Sequence, residues 1–214
     1  SLVGVSLILC GFVGVSKLKE RLPMQEPIEV ETVKDAPAGE RVPKAAFEVA
    51  AKGAVLVDAE SGEVLFEQDA HKELPLASVT KVMTMLLVME AVDSGRVSLE
   101  DTVTVSAYAA GMGGSQVYLK EGEQMSVAEM IKCVTVVSGN DCAVALAEHL
   151  AGSEEGFVAM LNDRAAELGM TNTHFENCTG LDAEGHLTTA YDVAVQQFKL
   201  RRRQLQIHTI FGGG

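Results

Sequence analysis

Hydrophobic and polar positions change period several times along the chain, and each change marks an element. Ala54 to Asp58 and Glu63 to Glu67 alternate around Glu60-Ser61-Gly62, which predicts a β-hairpin. From Leu74 the stretch LPLASVTKVMTMLLVMEAV is apolar for four turns. It reads as a buried helix over Ser78 to Asp93. Ser126-Val127-Ala128-Glu129 has the capping-box spacing and leads into a helix through Val137. Asp141 to Ala151 carries apolar residues at Ala143, Val144, Leu146, Ala147 and Leu150, a helical period. Further helices are expected over Glu154 to Leu168, with Gly169 as C-cap, and from Thr189 onward. One hairpin among many helices points to an α+β domain.

The termini follow other patterns. Leu2 to Val15 is an apolar run of signal-peptide length, short for a membrane span, so residues 1–16 are read as an export segment with cleavage after Ser16. Residues 17–46 include Pro23, Pro27, Pro37 and Pro43 among many glutamates and read as a linker. The folded domain is expected over 47–198. Residues 199–214 hold four basic side chains and no acidic one, whereas the other 198 residues carry 13 basic against 30 acidic. This break in charge marks a divergent tail, read as a truncation or frameshift foreign to the fold.

A net charge of −13 argues against nucleic-acid binding by the domain. The cysteines give no disulfide framework: once Cys10 leaves with the leader, Cys133, Cys142 and Cys178 remain, expected as buried free thiols. The five histidines lack metal-ligand spacing, and Gly111-Met112-Gly113-Gly114 lacks the Gly-Lys-Ser/Thr of a phosphate cradle. Neither metal nor cofactor is expected.

The candidate chemistry lies in two short motifs. Ser78 and Lys81 are three apart on a helix, hence on one face, as a nucleophile and its base. A lysine serves as base only if burial or a nearby cation lowers its pKa, and the apolar helix offers burial. A Ser-x-x-Lys occurs about once by chance in a chain of this length, and Ser16-Lys17-Leu18-Lys19 is such a copy, with no core to dry its lysine. Ser138-Gly139-Asn140 lies between two buried helices, a firm platform for presenting two polar side chains.

Ser-x-x-Lys followed by Ser-x-Asn is the motif order of the penicillin-recognising serine enzymes. From about Phe47 to Val195 the chain resembles the serine-type D-alanyl-D-alanine carboxypeptidases, the low-molecular-mass penicillin-binding proteins. The likeness runs through GAVLVDAESGEVLFEQDAHKELPLASVTKVMTMLLVMEA, GGSQVYLKEGEQMSVAEMIKCVTVVSGNDCAVALAEHLAGS and FVAMLNDRAAELGMTNTHFENCTGLDAEGHLTTAYDVA. It implies a transpeptidase fold shared with the β-lactamases, a helical cluster beside an antiparallel sheet, here incomplete because the C-terminal strands are missing. It implies that Ser78 attacks the penultimate D-alanine of a peptidoglycan stem peptide, that Lys81 takes its proton, and that Ser138 relays a proton to the leaving amine. Asn140 binds the substrate backbone and steadies Lys81, and β-lactams acylate Ser78. The implied location is the outer face of the bacterial membrane, with the N-terminal segment keeping the enzyme close to it.

One family motif is absent. No Lys, Arg or His is followed by Thr or Ser and then Gly, so the strand that binds the substrate carboxylate and supplies a second oxyanion donor is not in these 214 residues. Losing one such donor costs about a hundred- to a thousand-fold in rate, so the chain as written is expected to be impaired. Two other readings stand beside this one. A class A β-lactamase would use an acidic residue such as Glu154 or Glu155 for deacylation, and a remnant would be catalytically inactive.

Overall fold

A computed structural model describes residues 49–201. The expected leader, the linker and the tail beyond residue 201 lie outside the described residues. The hairpin forms as its alternation requires. β1 (Ala54–Val57) pairs antiparallel with β2 (Val64–Gln68), with an irregularity between Leu56 and Val57. Asp58 builds the turn, its Oδ1 accepting from Ser61 N and Ser61 Oγ at 2.7 Å each.

β3 (Leu74–Pro75) leads through a 3-10 turn (Ala77–Val79) into α1 (Thr80–Asp93). Then come β4 (Thr102–Thr104), α2 (Ala107–Ala110), β5 (Gln124–Ser126), α3 (Val127–Val137), α4 (Asn140–Ala151), α5 (Glu154–Leu168), β6 (Leu187–Thr188) and α6 (Ala190–Arg201). The last helix crosses the boundary expected at residue 198. Only the first hairpin was expected from the sequence, yet β3 pairs with β6 and β4 with β5, both antiparallel. Two- and three-residue strands are too short to leave an alternation in the sequence.

Two helices form the centre. α1 buries residues on all sides, among them Met83, Leu86, Val88 and Ala91, as expected of a helix apolar all round. α4 buries Cys142, Ala143, Val144, Ala145, Leu146 and Ala147. Its small side chains let α1, α2, α3 and α5 pack around it. α5 is amphipathic and turns Phe157, Leu161, Ala165 and Leu168 inward. It ends at Gly169, whose φ of +77° is the left-handed cap, with Met170 N donating to Ala165 O at 2.9 Å. The capping box of α3 forms as the sequence predicts, Ser126 Oγ accepting from Glu129 N and Glu129 accepting from Ser126 N. None of the described helices is long and apolar enough to cross a membrane.

Candidate active site

Ser78 sits in the 3-10 turn rather than in α1 itself, exposed to solvent, one turn before the buried Lys81. Lys81 Nζ donates to Ser78 Oγ at 3.3 Å and to the carbonyl oxygen of Thr179 at 2.7 Å. Burial lowers the lysine pKa from 10.5 to about 8, against an opposing influence from the nearby Cys178. That thiol is itself pushed well up by burial and by the Glu154 carboxylate, so it stays neutral and burial decides. A lysine with this pKa, touching an exposed serine hydroxyl, is able to take its proton near neutral pH.

The turn carries strain. Ala77 has a φ of +46°, an uncommon conformation for a residue with a Cβ. A second segment, 100 residues away in the chain, holds it there. Gly180, at φ +87°, lies so close that a Cβ on it would stand 2.3 Å from the carbonyl carbon of Ala77 and 2.9 Å from Ser78 N. Any side chain at position 180 would displace the peptide that presents Ser78.

The loop bearing Gly180 is itself tightly organised. Asn177 Oδ1 accepts from Gly180 N at 2.7 Å, Thr179 Oγ1 at 3.0 Å and Thr179 N at 3.1 Å, while its Nδ2 donates to Leu181 O. The loop docks on α1 through Thr84 Oγ1, which donates to Cys178 O at 2.7 Å. On its far side the buried Glu154 accepts from Cys178 N at 3.0 Å and from Tyr108 OH at 2.6 Å. The Tyr108 hydroxyl is pushed up to about 12, chiefly by that bond and then by burial. Both Glu154 oxygens are thus committed to structure, whereas the β-lactamase reading offered this residue as a deacylating group.

Ser138 and Asn140 sit at the α3–α4 junction. Ser138 caps α3 in the left-handed region, φ 60° and ψ 34°, and is half-buried. Asn140 is buried; its backbone N–H donates to Ser115 O at 2.7 Å and its Nδ2 to Gly113 O at 2.6 Å. Asp141, fully buried beside it, accepts from Val117 N, Leu119 N and Cys142 N. The two polar residues therefore fix the 113–119 loop. A Cβ on Gly114 would meet Asn140 Nδ2 at 2.7 Å and Leu181 at 3.4 Å, so this loop lies against the segment that clamps Ser78.

The structure brings Ser78 and Lys81 into contact. Among the described residues no hydrogen bond joins Ser138 or Asn140 to that pair. Lys81 rests on the Thr179 carbonyl, while the Nδ2 donor of Asn140 is given to Gly113 O. Sequence reasoning missed Thr179, Gly180 and the brace from Glu154. The one signal available was Asn177-Cys178-Thr179-Gly180, an Asx-turn pattern ending in glycine. Beside the Ser78 turn a cleft of about 380 Å³ opens between Pro75, Leu76 and Ala77 on one wall and Gly180, Leu181 and His186 on the other. Cys142 and Cys178 are buried and Cys133 half-buried, all free. Among the described residues no cluster of His, Cys, Asp and Glu is arranged to hold a metal ion.

Comparison with known proteins gives this geometry its context. The family profile described as peptidase S11, D-alanyl-D-alanine carboxypeptidase, matches residues 39–211. The D-alanyl-D-alanine carboxypeptidase DacF of Bacillus subtilis (strain 168) is 49% identical over 162 residues, 76% of this chain and 41% of that protein. The chain thus spans about two fifths of the length of the curated relatives it matches. The crystal structure of the D-alanyl-D-alanine carboxypeptidase DacD from Francisella tularensis superposes with a TM-score of 0.75 at 32% identity, covering 80% of this chain and 42% of that one. Penicillin-binding protein D2 of Listeria monocytogenes, in its ampicillin-bound form, gives 0.65 at 29% identity, covering 75% and 65%. The α+β architecture is the penicillin-binding fold of these neighbours, and the chain belongs to the D-alanyl-D-alanine carboxypeptidase family.

Proposed function

We propose that the protein is a serine D-Ala-D-Ala carboxypeptidase that removes the terminal D-alanine of peptidoglycan stem peptides. Neutral Lys81 takes the Ser78 hydroxyl proton as Oγ attacks the penultimate D-alanine carbonyl. The backbone N–H of Ser78, at the helix start, faces the developing oxyanion. Ser138 relays that proton from the Lys81 ammonium to the departing amine as the C–N bond breaks, while Asn140 binds the substrate backbone. Water then hydrolyses the ester and restores Ser78. A β-lactam follows the same first step. The observation that carries this reading is the 3.3 Å contact between Ser78 and a lysine whose pKa burial has lowered to about 8. About a tenth of the lysine is then neutral at pH 7, enough to act.

We further propose that the enzyme works outside the cytoplasm, where its substrate is, with the N-terminal segment keeping it near the membrane. The apolar run from Leu2 to Val15 supports this. The 214 residues contain no Lys-Thr-Gly or Lys-Ser-Gly. Their acylation is therefore expected to be slow beside that of a longer relative.

Mass spectrometry after incubation with a fluorescent penicillin tests the assignment. The expected result is a stable adduct on Ser78, formed faster as pH rises through about 8 and absent from Ser78→Ala. An adduct that persists in Ser78→Ala would overturn the nucleophile. Rapid turnover of the penicillin without an adduct would point to a β-lactamase. Labelling as fast as that of the Bacillus subtilis relative would refute the need for the missing wall.

A further inference from the structure

His186 is 3% exposed and belongs to none of the motifs above. Both its ring nitrogens are engaged. Nδ1 accepts from the backbone N–H of Glu176 at 2.9 Å, and Nε2 lies 2.7 Å from Thr80 Oγ1, which is itself fully buried. Because Nδ1 receives a hydrogen bond it carries no proton, so the neutral ring bears its proton on Nε2 and donates it to Thr80. Thr80 is the residue before Lys81, and Glu176 begins the run that ends at Thr179 and Gly180. The imidazole thus bridges the start of α1 and the root of the loop that holds Lys81 and clamps Ser78.

We propose that His186 is a positioning residue for the Ser78–Lys81 pair, fixing through Thr80 and the Glu176 backbone the loop whose Thr179 carbonyl holds the lysine. The proposal rests on the reading of Lys81 as the base. Three contacts then tie one loop to one helix turn: His186 with Thr80, Thr179 O with Lys81, and Cys178 O with Thr84. The loop ends are pinned to each other by His174 N donating to Leu187 O and Leu187 N to His174 O. The His186 bridge is the one that a proton would break. A second ring proton on Nδ1 would face the Glu176 N–H, donor against donor, and the bond would have to break.

The charged surroundings are mixed. From the loop, Glu176 favours the imidazolium, and Asp182 and Glu184 line the same cleft. His174, bonded to Glu176 at 3.1 Å, opposes it; on α1 the charged residue next to Thr80 in the chain is Lys81. Burial is the largest influence and holds the His186 pKa below its ordinary value. The folded protein thus favours the neutral ring. Its contribution to stability is complete above the ordinary histidine pKa of about 6.5 and is lost as pH falls towards the lower folded value.

Titration by NMR tests the proposal without any need for turnover. Imidazole nitrogen spectra of the whole chain should show His186 neutral, protonated on Nε2, with a midpoint below that of an exposed histidine. In His186→Ala, Lys81 gains water and its own midpoint rises from about 8 by about one pH unit or more. His186→Gln places an amide N–H where Nε2 stood and should recover most of that change. If His186→Ala fails to fold, Thr80→Val, which keeps the shape and removes the acceptor, should move Lys81 in the same direction. An unchanged Lys81 midpoint in a folded variant, or a His186 protonated on Nδ1, overturns the proposal. A coupled pair with no penicillin adduct on Ser78 would instead overturn the enzymatic reading and leave this one standing.

Discussion

Replacing Lys81 by methionine removes the amine while keeping the length and bulk of the side chain, and the consequence for stability has a definite sign. The folded lysine pKa is near 8 against an ordinary 10.5. Between those values the unfolded chain binds more protons at this lysine than the folded one, so the contribution of Lys81 to stability rises with pH. The full displacement corresponds to about 3.4 kcal/mol, and screening by water at the exposed Ser78 trims it to about 2 kcal/mol. Lys81→Met has no such group. Urea unfolding of both proteins in steps from pH 7 to pH 10 should therefore show the wild type gaining about 2 kcal/mol on the variant, since groups other than the neighbouring Cys178 titrate alike in the two. Near pH 7 the comparison is closer than the loss of a central side chain suggests. The variant gives up the bond to Thr179 O, about 1 to 3 kcal/mol with the carbonyl left bare, and is freed of a buried charge. A gap between the two proteins that stays flat over this range would refute the claim that burial depresses the lysine pKa, and with it the account of how Ser78 is activated.

Two further substitutions probe the supports. Gly180→Ala sets a Cβ against the Ala77 peptide and at a positive φ, so it should cost at least about 2 kcal/mol in urea unfolding and slow penicillin labelling tenfold or more. Asp141→Asn removes the carboxylate that gathers Val117, Leu119 and Cys142 N–H groups. It should cost about 2 to 3 kcal/mol by thermal or urea unfolding, with faster hydrogen exchange at Val117 and Leu119; unchanged exchange there would show that the loop is held by other means.

The parts of this fold that were legible in the sequence are those written in local periodicity. The hairpin, the buried helix after Ser78, the capping box at Ser126 and the glycine stop at Gly169 each follow from residues within one or two turns of each other. The Ser78–Lys81 contact was legible for the same reason, since helical spacing alone puts the pair on one face. What stayed hidden is long-range. Nothing near Lys81 says that its carbonyl partner is Thr179, 98 residues on, or that Glu154 braces that loop from the far side. A backbone carbonyl has no residue identity, so no motif could announce it. The bond from Asn140 Nδ2 to Gly113 O stayed hidden for a related reason: sequence gives an amide its neighbours in the chain, and this acceptor comes from another segment. The pairings of β3 with β6 and β4 with β5 leave equally little trace in two or three residues each.

The fit of Gly180 against Ala77 and Ser78 also sets the order in which the molecule comes to life during synthesis. The Ser78 turn is made first, yet the surface that forces its strained shape is translated about 100 residues later. Until that later segment has emerged and settled onto α1, Ala77 has no reason to hold a positive φ, and Lys81 has no Thr179 carbonyl to rest against. A nascent chain that ends before residue 180 can coil its first helix but leaves the serine unaimed. The shape of the Ser78 turn is therefore set in one docking step, once the segment around Gly180 has been made.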